Sequence, residues 1–401
     1  MRISLLFIGL IWLTSLAINL SGIISYKALS VYTIILFMYV TSVILLFPIF
    51  MSPPPEFAKS ISPYTKKINI GGFSFLFIYL IPISILMFSV FKSHMLTMSF
   101  TDYFSLRRGG EIDGGGLVTG ISFVDTLLKV YVYPALVSFF LILVSKVHVE
   151  NKVDVISFIG VVFGLVVYTY LFQVNYPVIF LIIVLFFLFL NNYKKKCSPI
   201  YRHRNKSLFV LIIFVCGILF SAANRFGSFD ILGIIMYYPM SYFSLGISVF
   251  DLNFKDETSI LHNHTYGLNL LGHILLPLKY IFSFLGFDNN YFNPPSIENT
   301  LYLNEKVDVG YLDFKYVNAF GTVLFSFYKD FNVLGIALAP LIYVFSVQYV
   351  YYKYSITSIA LFYLLLFNGV SGLTVSPLDQ PHFIFSIVII YLVTKEFRWK
   401  R

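Results

Sequence analysis

Charge is scarce in this 401-residue sequence: Asp, Glu, Lys and Arg together make up 12% of it. That is about half the charged share of an average soluble domain, so a water-facing globular surface is excluded for most of the chain. Cysteine is scarcer, with only Cys197 in a lysine-rich stretch and Cys216 inside an apolar run. Neither is placed to meet the other across a membrane plane, so no disulfide is expected. Motifs are missing too. The absence of a Walker-type loop, a dinucleotide fingerprint, HExxH and GxSxG removes nucleotide hydrolysis, redox, zincin and serine hydrolase chemistry as motif-based readings. His262 and His264 are spaced as ligands in "LHNHTYG", but no cysteine accompanies them and Asp256 and Glu257 complete no ligand set. Neither a metal nor another cofactor is expected.

What the sequence has instead is apolar and aromatic mass: 58% hydrophobic residues, 45 Phe, 30 Tyr and a mean hydropathy of +0.83. Apolar runs of about 20 residues, each long enough to cross the hydrocarbon as a helix, recur along nearly the whole length. The expected fold is an all-α polytopic integral membrane protein, one transmembrane domain over residues 1–401. Twelve spans are read at 3–20, 30–51, 70–90, 126–145, 154–172, 176–190, 207–223, 229–250, 266–285, 331–350, 356–373 and 382–394. The first shows no small-residue cleavage site and is read as retained. Pro239 and Pro277 interrupt spans eight and nine, which could instead be re-entrant; removing both leaves ten spans and the same sidedness elsewhere. "SPPPE" at 52–56 reads as a stiff linker.

The formal charge of +9 does not point to nucleic acid, because the basic residues collect between spans. With the N-terminus inside, the inner connections hold eighteen Lys and Arg and the outer ones eight, which fits the positive-inside rule. "NNYKKKCSPIYRHRNK" alone nearly decides the orientation. In this reading 251–265 is an inner connection, and two outer loops, about 91–125 and 286–330, are too long to be simple turns.

The first loop carries "TDYFSLRRGGEIDGGG". Arg107 and Arg108 lie outside the membrane, where the charge bias disfavours them, next to glycines that let backbone amides approach an anion. Each guanidinium offers a planar fork suited to phosphate. A clamp on a diphosphate is one reading; balance of Asp102, Glu111 and Asp113, or snorkelling to headgroups, is the other. Arg225 in "SAANRFGSF" directly follows an apolar run. It either faces a wet cavity and binds the same anion or snorkels at a helix end. His264 is a candidate general base on condition that its segment faces outward, with Asp330 second. Lys306, Lys329 and Tyr266 are the candidates for contact with the substrate, in a region where tyrosines mix with charges of both signs.

The long outer loops after spans three and nine occur with four local stretches: "FTDYFSLRRGGE", "NRFGSFDILGIIMYYPMSYFSLGISVFD", "HTYGLNLLGHILLPL" and "YVNAFGTVLFSFYKDFNVLGIAL". In these features the chain resembles the Wzy-type O-antigen or oligosaccharide repeat-unit polymerases. The resemblance implies an inverting, metal-independent glycosyltransferase at the periplasmic face of the bacterial inner membrane. Such an enzyme moves a growing glycan from undecaprenyl pyrophosphate onto a lipid-linked repeat unit, with a chain-length regulator as a partner by analogy. Arg107, Arg108 and Arg225 would bind pyrophosphate. The second loop departs from the family pattern in carrying lysines and no arginine. The rival expectations are an O-antigen ligase and a transporter such as a lipid-linked oligosaccharide flippase; a carrier should hold its ionisable residues near mid-membrane.

Overall fold

The structure, a computed structural model, describes residues 1–23, 27–50, 72–93, 96–98, 103, 118–172, 174–193, 198–202, 205, 240–272, 274–275, 278–279, 282, 294–295, 298–299, 302, 307–308, 316–317, 321–374, 376 and 381–395. Its main helices are α1 (Arg2–Leu20), α2 (Val31–Phe50), α3 (Gly72–Lys92), α4 (Phe123–Glu150), α5 (Val155–Phe172), α6 (Tyr176–Asn192), α7 (Ser241–Lys255), α8 (Val323–Lys353), α9 (Ile356–Ser371) and α10 (Pro381–Lys395). Among the described residues, six helices (α1 to α5 and α8) are long and apolar enough to cross a membrane, and α6, α9 and His382–Thr394 are shorter apolar helices. This is the make-up of a polytopic membrane protein, in which hydrocarbon leaves backbone amides no partner except their own helix. The described extended structure is a two-residue antiparallel ladder pairing Val307 with Val317 and Asp308 with Tyr316. The expected span 207–223 lies outside the described residues.

The chain divides into two compact units. One comprises Met1–Ser60, Ile212–Lys353 and Leu365–Pro381; the other comprises Ile61–Leu211, Tyr354–Leu364 and His382–Arg401.

In the second unit α4 is the central helix, with 78% of its most apolar window buried against 33% for α3 and 28% for α5. Two proline positions shape this unit. Pro82 and Pro134 cannot donate to the turn before them, and immediately upstream the backbone widens into π-helix at Leu76–Leu80 and Leu128–Val132. A wider turn relieves the ring clash and leaves a carbonyl open. The Tyr131 hydroxyl donates to one such carbonyl, that of Phe77, five residues before Pro82.

In the first unit α1 and α7 are joined through one buried asparagine. Asn19 Nδ2 donates to the Ser244 carbonyl at 2.8 Å, and Ser248 Oγ donates to Asn19 Oδ1 at 2.6 Å. A Cβ on Gly246 would collide with the Leu373 carbonyl, so only glycine lets α7 approach the end of α9 this closely. At the end of α7, Asp251 Oδ1 accepts from the Ser30 amide at 3.0 Å and the Ser30 hydroxyl at 2.6 Å, while Lys255 Nζ lies 2.6 Å from Asp251 Oδ2 and donates to the Ala28 carbonyl. The C-terminal end of α7 therefore lies level with the start of α2.

Two boundaries differ from the sequence reading. Helix α8 begins at Val323, eight residues before the expected span, and bends where Phe331 and Asn332 leave helical geometry, Asn332 at φ 55°. The bend brings the Phe327 carbonyl so near Gly335 that no Cβ would fit there. Residues 266–271, expected to open span nine, form turns instead. Those turns touch the middle of α8, with the Thr265 amide donating to the Lys329 carbonyl at 3.0 Å. Thr265 and Lys329, placed by the sequence reading in an inner connection and an outer loop, thus lie side by side. The physical reason is visible in the turn, whose amides seek the Asp330 carboxylate rather than a helical ladder.

Candidate functional site

One polar cluster of the first unit is built on two consecutive side chains, Lys329 and Asp330, in the last turn of α8 before its bend. Both are buried, at 0% and 1% exposure. A buried charge must be compensated locally, and each is. Asp330 Oδ1 accepts from the Thr265 hydroxyl at 2.5 Å and the Asn269 amide at 3.0 Å, and Oδ2 accepts from the Leu270 amide at 2.7 Å. The carboxylate therefore organises the 265–271 turn much as a helix cap would, by collecting backbone donors that have no ladder partner.

Lys329 faces the other way. Its ammonium donates to Glu298 Oε2 at 2.9 Å and to Asn299 Oδ1 at 2.7 Å. Asn299 Nδ2 in turn donates to Asn269 Oδ1 at 2.5 Å, closing a path back to the turn that Asp330 holds. The Glu298 side chain is 53% exposed while its lysine partner is fully covered.

His264 is fixed by the same lysine, through the backbone. Its Nδ1 lies 3.3 Å from the Lys329 carbonyl, and its ring packs 6.1 Å from that of Tyr328. A carbonyl only accepts, so Nδ1 carries a proton, and in the neutral ring Nε2 holds the lone pair. Among the described residues Nε2 has no hydrogen-bond partner. His262 stands edge-on to Tyr328 at 5.9 Å and tilted against Phe254 at 6.4 Å, and among the described residues its buried Nε2 has no hydrogen-bond partner. The segment that carries both histidines leaves α7 through a polar turn, in which Asp256 Oδ1 accepts from the Thr258 amide at 2.9 Å and hydroxyl at 2.6 Å. These two bonds hold the exposed Asp256 carboxyl below the usual aspartate range. Further along, Ser259 Oγ donates to Asn253 Oδ1 at 2.6 Å.

The structure thus gathers His264, Lys329 and Asp330 of the candidates named from sequence. Tyr266 follows them in the turn, 84% exposed as a residue and with its backbone at φ 50°. Arg107, Arg108, Arg225 and Lys306 lie outside the described residues. Sequence reasoning missed Glu298, Asn299, Asn269 and Thr265. An acid 31 residues before a lysine has no readable spacing, and the one available hint was an acid within the long aromatic loop. No family model, curated protein or solved structure matches the chain.

Chemically, the cluster presents one basic nitrogen and one half-exposed carboxylate on a base of buried, fully engaged charges. Asp330 has both oxygens occupied and is poorly placed to accept a further proton from a substrate. His264 Nε2 is free to do so.

Proposed function

We propose that the chain is a membrane glycosyltransferase that polymerises undecaprenyl-pyrophosphate-linked repeat units at the periplasmic face of the inner membrane, as an O-antigen polymerase does. The observation that carries this reading is His264, whose Nδ1 faces the Lys329 carbonyl and whose Nε2 is left with an open lone pair. An acceptor hydroxyl gives its proton to Nε2 as its oxygen attacks the anomeric carbon from the face opposite the leaving group. The anomeric C–O bond breaks, its electron pair departs with the pyrophosphate, and configuration inverts. Arg107, Arg108 and Arg225 are assigned to that pyrophosphate, where preorganised cations favour the developing charge over the ground state. No metal is required.

The topology that fits is ten crossings with both termini inside. The contacts of the end of α7 with residues 28–30, which follow the first span, support a placement of 251–265 together with 286–330 on the outer side. Moving Lys255 outward changes the Lys and Arg tally from eighteen against eight to seventeen against nine, and the orientation survives.

The test is the lipopolysaccharide ladder of a deletion strain with and without the gene restored. Core bearing a single repeat unit in the deletion, with the ladder recovered on restoration, supports polymerisation. Replacement of each of the three arginines by Lys should then abolish most of the ladder at unchanged membrane levels, because lysine cannot grip phosphate bidentately. Bare core in the deletion instead supports the second reading, a ligase or a lipid-linked oligosaccharide flippase. The observation in favour of a carrier is buried Lys329, paired with the half-exposed Glu298 and next to buried Asp330, since ionisable groups inside a membrane protein commonly mark a transport path.

A further inference from the structure

We infer that Glu298 is a saccharide-binding residue: its Oε1 accepts a hydroxyl of the sugar that receives the transferred glycan, while Lys329 holds the carboxylate in place. The inference rests on the glycosyltransferase reading for the sugar's role as acceptor, and on geometry for the contact itself.

The ion pair is asymmetric. Lys329 is wholly enclosed, and its ammonium is fixed by Glu298 Oε2 at 2.9 Å and Asn299 Oδ1 at 2.7 Å. Glu298 is more than half exposed, with Oε1 unbonded among the described residues. An exposed ion pair between two flexible side chains contributes little, because both must be immobilised. Here one partner is already immobile, so the carboxylate is presented at a defined place with one oxygen anchored and the other open. That is how a protein offers a hydroxyl acceptor without spending binding energy on ordering it.

The surroundings select the ligand class. Lys329 binds Glu298 through its ammonium and His264 through its carbonyl, so carboxylate and imidazole lie within one lysine side chain of each other. A sugar with neighbouring hydroxyls can give one to Nε2 as nucleophile and another to Oε1 as anchor. The Asn299–Asn269 chain ends on Asn269 Nδ2, a buried amide donor with no partner among the described residues, which can serve a hydroxyl or ring oxygen. The exposed ring of Tyr266 adds an aromatic face of the kind on which sugars stack. A phosphate is disfavoured at this spot, since the open group is itself an anion.

The experiment uses the full-length protein in lipid nanodiscs and measures binding of the undecaprenyl-pyrophosphate-linked repeat unit extracted from the deletion strain. Undecaprenyl pyrophosphate without sugar is the second probe. Glu298→Gln removes the charge but leaves Lys329 without its counter-ion, so it is paired with Glu298→Asp, which keeps the charge and withdraws Oε1, and with the double variant Glu298→Gln/Lys329→Met, which removes both charges. A charge-assisted hydrogen bond lost from a binding site corresponds to roughly tenfold to hundredfold in affinity. All three should weaken binding of the sugar-bearing probe by about tenfold or more and leave binding of the sugar-free lipid unchanged. A double variant that binds the sugar-bearing probe as the wild type does would show that Glu298 is a counter-ion and nothing else, and the inference would be overturned. Equal weakening for both probes would overturn it too, by placing the effect on the lipid or the fold. A His148→Phe variant, altered in the other unit, controls for general damage. Failure of the polymerase reading is separable: Glu298-dependent sugar binding without a gene-dependent ladder leaves the inference standing as a property of a carrier or ligase.

Discussion

His264 in the first unit and His148 in the second are both partly or wholly buried beside a tyrosine, yet they expose opposite chemistry. His148 Nδ1 lies 2.7 Å from the Tyr363 hydroxyl and 3.2 Å from Asn192 Nδ2, with the ring 1% exposed. An amide NH2 only donates, so the lone pair of His148 sits on Nδ1 and is already used inside the protein. In His264 the roles of the two nitrogens are reversed. Nδ1 donates to the Lys329 carbonyl and the lone pair on Nε2 stays open. One histidine closes a polar network that ties α4, α6 and α9 together; the other has its basic nitrogen turned away from the network that holds it. Burial and a tyrosine neighbour therefore do not identify a functional histidine. The direction of the lone pair does.

The largest effect that follows is on turnover. Replacing His264 by Ala should lower polymerisation by roughly 10²–10⁴-fold, the usual contribution of a positioned base, with thermal unfolding of the purified protein little changed. Activity near wild type would end the distinction drawn between the two histidines. Next comes Asp330→Ala, which strips the acceptor from the Thr265 hydroxyl and the Asn269 and Leu270 amides. Each buried donor left unpaired costs about 1–3 kcal/mol, so a destabilisation of roughly 3 kcal/mol or more is expected, read as a fall in melting temperature and membrane level. Asp330→Asn, which keeps one acceptor oxygen, should fall between Ala and wild type. His148→Phe should destabilise by about 1–3 kcal/mol through loss of the hydrogen bonds from Nδ1 to the Tyr363 hydroxyl and the Asn192 amide, while turnover per folded molecule stays the same. Loss of turnover without loss of stability in that variant would erase the comparison from the other side.

The membrane class and most helices were legible because hydrocarbon imposes one rule on every segment. Runs such as 2–20, 155–172 and 176–192 announce themselves by length and apolarity alone. The turn at 265–271 was not legible for the converse reason. "TYGLNLL" is apolar enough to extend a span, and only the distant Asp330 carboxylate makes a turn the better way to satisfy its amides. The site was half legible. His264, Lys329 and Asp330 stand out as polar residues next to apolar runs, whereas Glu298 acquires its meaning from an ammonium 31 residues away. Local pattern reports what each segment can bury; it does not report which segment supplies the partner.

The smallest effect concerns the turn that leads from α7 to the histidines, and it is a pH effect. Two hydrogen bonds from Thr258 lower the Asp256 carboxyl in the folded protein relative to the unfolded chain. A lowered carboxyl contributes stability that is fully present above the unfolded value, about pH 4. That contribution is lost as the pH falls through the folded value. The melting temperature of the wild type should therefore decline on acidification below about pH 4 more steeply than that of Asp256→Asn, and the two curves should run parallel above it. Because Asp256 is exposed to solvent, the separation should be slight and should shrink further in high salt. A separation that instead opens between pH 6 and 8, in the usual range of histidine titration, would show that Asp256 acts through His262 rather than through Thr258, and would bring the turn itself into the contrast between the two histidines.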